Sequence, residues 1–267
     1  MVRHSVSVVV AAYNEGRDLI VALERILVQL AASERLDFEL IVVDDGSSDE
    51  TPQVLEKFSA SRPGELRVLT HEVNRGLVAA MRTGCAGATK STVVYLDADL
   101  SYAPSIVERL VEAKAATGAA VAIASPYMRG GVVAQVPLDR LVASRAANWL
   151  LSRCCSGRFS TFTGMVRAYD TKTLRDLFSL EPVGEFNTWA LAALIESGRE
   201  IVEIPAELIW PAERYAAAPR LSAGKLLART REVVATFEYL SAACRRGRNL
   251  NTGTLVLPGQ PTRPYIS

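Results

Sequence analysis

The strongest constraint on this chain is an alternation. Over residues 1–125, short apolar runs take turns with amphipathic stretches, and three of the runs break off into carboxylates and amides. Residues 5–12 are Val-rich and too few for a helix, so they read as a buried strand. Residues 16–32 carry Leu19, Leu23, Ile26, Leu27 and Leu30 at helical spacing. The pattern repeats, with strands expected at 38–43, 66–70, 92–96 and 119–124 and helices at 51–59, 77–88 and 105–117. This order predicts an α/β fold with a doubly wound, mostly parallel sheet. Later residues are less regular. Helices are expected at 138–151, 185–197 and 222–244, and strands at 163–169, 200–204 and 206–210. Residues 247–267, with Pro258, Pro261 and Pro264, read as an extended tail.

Composition removes several classes of protein. With 30 Lys+Arg against 29 Asp+Glu, the balance gives no reason to expect nucleic-acid binding. His4 and His71 are the only histidines, and neither stands near a partner motif for a zinc site or a Ser-His-Asp triad. No Gly-x-Gly-x-x-Gly follows the first strand, which argues against a dinucleotide oxidoreductase. Residues 84–91 imitate a phosphate loop, but Thr89 stands where Gly must precede Lys, and the segment ends a helix instead of opening one. Cys85, Cys154, Cys155 and Cys244 lack framework spacing and read as reduced thiols of a cytoplasmic protein. The first residues do not read as a signal peptide, and no run approaches the roughly 18 apolar residues of a membrane helix.

In an open α/β sheet, ligands bind at the carboxyl ends of the strands. Three clusters fall there: Tyr13-Asn14-Glu15, Asp44-Asp45-Gly46 and Asp97-Ala98-Asp99. An Asp-x-Asp turn sets two carboxylates at one strand end, and hard oxygen ligands suit Mg²⁺ or Mn²⁺ sharing its coordination with phosphate. A carboxylate at 44 or 45 can accept from a nucleobase edge or a ribose. Glu15 can reach a ribose hydroxyl, and Tyr13 can stack. Taken singly, each cluster also reads as loop and helix-start chemistry.

Together the clusters resemble the family 2 glycosyltransferases. The likeness covers roughly residues 5–205 and is most specific at 8–15, 41–51, 74–76 and 95–100. It implies a GT-A-like fold with a Rossmann-like nucleotide-binding half and a C-terminal helical extension. It implies a domain over 1–210, divided into a nucleotide-sugar half (1–125) and an acceptor half (126–210), then a basic helical extension (211–246) and the tail (247–267). Ala11, Tyr13, Glu15, Asp44, Asp45, Gly76, Asp97 and Ala98 would bind the nucleotide, and Asp97 and Asp99 would hold the metal. Within the family the chain is most similar to polyprenyl-phosphate mannosyl- and glucosyltransferases. Arg140, Ser144 and Asn148 match a helix of that group, residues 163–169 match its Ser-Gly-Phe-Arg-Ala-Tyr segment, and Glu185-Phe186-Asn187 its Glu-Phe-Gln. Ala11 replaces a usual Pro, Ser101 a usual Gln, and Pro126 an Arg that Arg129 stands close enough to replace. These departures leave the sugar and the acceptor open.

The resemblance implies metal-dependent, inverting transfer of a hexose from a GDP-mannose or UDP-glucose type of donor to a polyprenyl phosphate. Transfer to a saccharide or small-molecule hydroxyl, and a nucleotide-sugar-binding protein without catalysis, are the other readings. A lipid monophosphate is largely dianionic at neutral pH and needs cations more than a base. Arg140, Arg167, Arg214, Arg220 and Lys225, with Ser144 and Ser222, are the candidates. A hydroxyl would need a carboxylate, Glu185 before Glu203. Trp149, Trp189 and Trp210 read as core or cleft wall, with Trp189 the nearest to a sugar platform. From Arg214 to Arg248 there are eight basic and two acidic residues, which suits peripheral contact with an anionic membrane, here its cytoplasmic face. A homodimer stays open.

Overall fold

A computed structural model describes residues 3–182, 184–210 and 235–246. Its centre is a seven-stranded sheet built from β1 (His4–Ala12), β2 (Leu36–Asp44), β3 (Leu66–Thr70), β4 (Thr92–Asp97), β5 (Val121–Ser125), β7 (Arg167–Asp170) and β8 (Ile201–Pro205). The order across the sheet is β3-β2-β1-β4-β7-β5-β8. The β1–β2, β1–β4, β2–β3 and β5–β8 pairs are parallel, while β7 runs antiparallel to both β4 and β5. A smaller parallel pair joins β6 (Val132–Ala134) to β9 (Glu207–Ile209).

The apolar strands have a simple cause. Val6, Val8 and Val10 pack into one core layer with α1 (Asp18–Ala31), α2 (Thr51–Ser61) and α4 (Ile106–Thr117). Val9 points the other way, into a layer with α3 (Leu77–Gly87), α6 (Thr171–Phe178) and α7 (Phe186–Glu196). Both faces of the sheet are covered, so both sets of alternating side chains must be apolar.

The first half follows its pattern closely, and the departures lie beyond residue 125. The strand expected at 163–169 begins only at Arg167, because the backbone before it turns to meet that residue's own side chain. The short helix α6 and strand β6 went unread, having too few residues to show a period. The helix expected at 138–151 is α5 (Leu138–Cys154), and only Asn148 and Leu151 along it are buried. Trp149 is 60 % exposed, so it belongs to no core, whereas Trp189 is 2 % exposed and lies inside one, out of reach of a sugar.

The cysteine reading is corrected. Cys155 and Cys244 form a disulfide, with Cα atoms 5.4 Å apart and a separation of 89 positions in sequence. No spacing rule could pair them; the chain brings the end of α5 against the helical residues 235–246. Only Cys85 and Cys154 are free, and the thiol argument for a cytoplasmic setting goes with the pairing. That helical stretch is the described end of the helix expected at 222–244. Arg214, Arg220, Ser222 and Lys225 lie outside the described residues, as does the tail.

Candidate active site

The register puts the three polar clusters side by side. Ala11 pairs with Asp97 on one flank of β1, and Ala12 with Asp44 on the other. The loops that follow are stitched together. Asn14 accepts from Ser48 N at 2.8 Å and donates its own N–H to Ser47 Oγ at 3.0 Å. The N–H groups of Glu15 and Gly16 both reach Thr51 Oγ1, at 2.9 and 2.8 Å. Tyr13 stands 45 % exposed beside them, and Glu15 is half-buried.

Asp44 and Asp45 hold the neighbouring wall. Asp44 is 1 % exposed and accepts from Ser47 N, closing a tight turn. Asp45 is 3 % exposed; its Oδ1 meets His71 Nδ1 at 2.6 Å and Arg75 N at 3.0 Å, and its Oδ2 meets Gly76 N at 2.8 Å. Gly46, at φ +70°, is required: a Cβ there would lie 2.3 Å from the backbone carbon of Val73. Gly76, at φ +88°, opens α3 onto free space. So Asp44 and Asp45 shape the wall before they touch anything bound to it. His71 is the residue here that sequence reasoning passed over. It shares no motif with Asp45, and only the β2–β3 pairing brings them together.

On β4 the chemistry is different. Asp97 and Asp99 flank Ala98, with Leu100 in the left-handed region at φ 54°. Ser101 holds both carboxylates, its hydroxyl donating to Asp97 Oδ2 at 3.0 Å and its N–H to Asp99 Oδ1 at 2.9 Å. Burial, joined by the charge of Asp99, raises the Asp97 carboxyl to about 7. Like charges held together on a strand end are a cost that a cation relieves. Among the described residues no third His, Cys, Asp or Glu joins them, so a metal here would complete its shell from a ligand or water. The donor set fits Mg²⁺ or Mn²⁺ on that ground: hard oxygens, few enough to share.

The acceptor-side candidates fare unevenly. Arg140 is exposed at the start of α5, its guanidinium 5.1 Å from the Trp210 ring centroid. Ser144 accepts from Tyr127 OH at 2.8 Å, and Asn148 ties Phe162 N to α5 at 2.7 Å. Arg167 is not available to an acceptor. It is fully buried, and its guanidinium donates to the carbonyls of Phe162, Gly164 and Asn187. Glu185 is likewise committed. It is the N-cap of α7, accepting from Asn187 N, Thr188 N, Asn187 Nδ2 and Thr188 Oγ1 at 2.8–2.9 Å. Glu203 on β8 accepts from Ser160 N and Thr161 N, and burial raises its carboxyl. Arg167 on β7 and Glu203 on β8, the two strands that flank β5, therefore grip one loop, the acid by the loop's N–H groups and the base by its carbonyls.

A mostly parallel sheet with helices on both faces, and acidic loops at the ends of β1, β2 and β4, is the GT-A-like arrangement. The chain belongs to glycosyl transferase family 2, whose model matches residues 7–178. It is 34 % identical over 142 residues to the dolichol-phosphate mannosyltransferase of Pyrococcus furiosus, covering 53 % of this chain and 39 % of that enzyme. It is 32 % identical over 204 residues to the polyprenol monophosphomannose synthase of Mycolicibacterium smegmatis, covering 74 % of this chain and 75 % of that one. Among solved structures it resembles a mannosyltransferase from Pyrobaculum calidifontis in complex with GDP-Man and Mn²⁺, at a TM-score of 0.58 and 19 % identity, over 95 % of this chain and 77 % of the other.

Proposed function

We propose that the chain transfers a hexose from a nucleoside diphosphate sugar to a polyprenyl phosphate, with inversion at the anomeric carbon. The observation that carries the reading is the Asp97–Asp99 pair at the end of β4, braced by Ser101 and set beside the loops of β1 and β2. Both relatives above are named for transfer to a polyprenol-type acceptor, which supports the lipid phosphate. Asp97 and Asp99 would hold Mg²⁺ or Mn²⁺; when bound, the cation offsets the charge that gathers on the leaving diphosphate.

The remaining work falls to the chain's own groups. Tyr13, Glu15 and the Asp45–Gly76 wall receive the nucleoside. Ser101 keeps the two carboxylates from turning apart. Arg140, exposed at the start of α5, would attract an acceptor phosphate. The two carboxylates that could serve as a base, Glu185 and Glu203, are taken up by backbone N–H groups, and this favours an acceptor that needs no base.

The acceptor would lie in a membrane, and α5 suits contact with it. Leu138, Val142 and Trp149 are 76, 60 and 60 % exposed and recur at helical spacing, with Arg145 and Arg153 between and beyond them. Apolar side chains among arginines fit an anionic lipid surface. No helix among the described residues is long and apolar enough to cross a bilayer.

The test is a donor screen with Mn²⁺ and polyprenyl phosphate: labelled GDP-mannose, UDP-glucose, UDP-galactose and UDP-N-acetylglucosamine. One donor should give an organic-extractable, labelled lipid. Asp99→Asn should cut its formation about a thousandfold. Label passing only into water-soluble products, or no product from any donor, would overturn the reading.

A further inference from the structure

His71 is 7 % exposed at the end of β3. Its backbone N–H donates to Asp44 O at 2.9 Å. Its ring spans two elements, with Nδ1 2.6 Å from Asp45 Oδ1 and Nε2 2.8 Å from Thr83 Oγ1 on α3. An ionised carboxylate can only accept, so Nδ1 carries the proton of the first bond. The same carboxylate gathers the N–H groups of Arg75 and Gly76. The chain Thr83–His71–Asp45 thus runs from the second turn of α3, through the ends of β3 and β2, to the loop that opens α3.

The sheet does not need this chain. The β2–β3 ladder is complete through Asp44 and Thr70 without it. Taking an imidazole and a carboxylate out of water is costly, and an apolar pair of the same size would pack the spot as well. What an apolar pair could not supply is direction: a carboxylate held in one rotamer and two backbone N–H groups held by that carboxylate.

We propose that His71 is a positioning residue for donor binding, fixing Asp45 and through it the Arg75–Gly76 backbone that walls the nucleotide pocket. The proposal rests on the donor-pocket reading above. Without the ring, Asp45 loses its strongest donor and turns toward water. The loop then samples several conformations, and the nucleotide must select one of them on binding. The reacting atoms gather at Asp97 and Asp99, on β4, beyond β1. The loss therefore falls on donor affinity and leaves the transfer step alone.

Three variants test this: His71→Leu, His71→Asn and Thr83→Val. The amide of asparagine can donate to Asp45 roughly where Nδ1 does. Calorimetry of UDP and GDP with Mn²⁺ is paired with steady-state kinetics. His71→Leu should raise Kd and the donor KM about tenfold at a kcat within twofold of wild type, and His71→Asn should recover most of that. Thr83→Val, which only loosens the ring, should raise KM about threefold. An unchanged KM in His71→Leu, a fall in kcat at constant KM, or no rescue by asparagine overturns the assignment. If His71→Leu does not fold, Thr83→Val decides: an unchanged KM overturns the assignment. Wild type binding neither nucleotide would sink the donor reading and this one with it, whereas a wild type that binds beside an equally good His71→Leu would sink this one alone.

Discussion

At the carboxyl end of β4, two carboxylates stand half-buried with one serine donating to both, and burial together with the charge of Asp99 raises Asp97 to about 7. Across β7 and β8, a buried arginine and a buried glutamate have every reason to be called catalytic by residue type, yet the backbone of residues 160–164 takes them up. The difference separates the proposed site from the scaffold. A buried charge whose hydrogen-bonding groups are taken up by backbone and neighbouring side chains, as Arg167 also meets the Tyr169 hydroxyl, is compensated in place and has little left to offer a ligand. Two carboxylates held on one strand end carry a cost that a proton or a cation relieves.

The scaffold side of this contrast carries the largest expected effect. Arg167→Leu removes the donor to two buried carbonyls and a half-buried one, and the loop loses its grip from β7. Stability should drop by about 3–5 kcal/mol in chemical denaturation. The donor loops, on other strands, should keep their nucleotide affinity in whatever fraction stays folded. A variant that melts like wild type but no longer transfers sugar would return Arg167 to the acceptor and break the contrast.

The site side is read by pH. Asp97 is an acid whose folded value lies near 7, above its ordinary value of 3.8, so the folded state holds its proton more tightly than the unfolded one. Stability from this group is therefore full below about pH 4 and is lost as pH rises toward 7. In chelator, Asp97→Asn should flatten that part of the pH–melting profile. Added Mn²⁺ should raise the wild-type melting temperature more at pH 8 than at pH 5, since the proton competes for the same oxygen. Equal Mn²⁺ effects at both pH values would mean that the cation does not meet Asp97.

How far the sequence reached follows the same division. The doubly wound half was legible because buried parallel strands and amphipathic helices leave unmistakable periods, and because strand ends in such sheets face one edge. Asp97 and Asp99 could be nominated once the three strand-end clusters were read together with the family resemblance, since Asp-x-Asp alone also reads as a loop. The roles of Arg167 and Glu185 could not. Whether an arginine or a glutamate faces a cleft or its own backbone is set by the path of the chain some residues away, and Gly164 and Phe162 give no sign of the carbonyls they turn inward. The antiparallel insertion of β7 between β4 and β5 was equally silent, since four residues carry no register signal. Cys155 and Cys244 met for the same reason: pairing across 89 positions is a property of the fold.

Glu185 gives the smallest effect and the sharpest division between phosphate and hydroxyl acceptors. As an N-cap its two oxygens serve the N–H groups of Asn187 and Thr188 and both neighbouring side chains. Glu185→Gln keeps one oxygen and loses the charge at the positive end of α7, a change worth about 1 kcal/mol of stability. A phosphate acceptor asks nothing more of this residue, so turnover with polyprenyl phosphate should stay within a few-fold. A general base, by contrast, contributes some 10²–10⁴-fold, and glutamine cannot take a proton. A hundredfold loss of turnover at an almost unchanged melting temperature would therefore make Glu185 a base after all, and would move the acceptor from a phosphate to a hydroxyl.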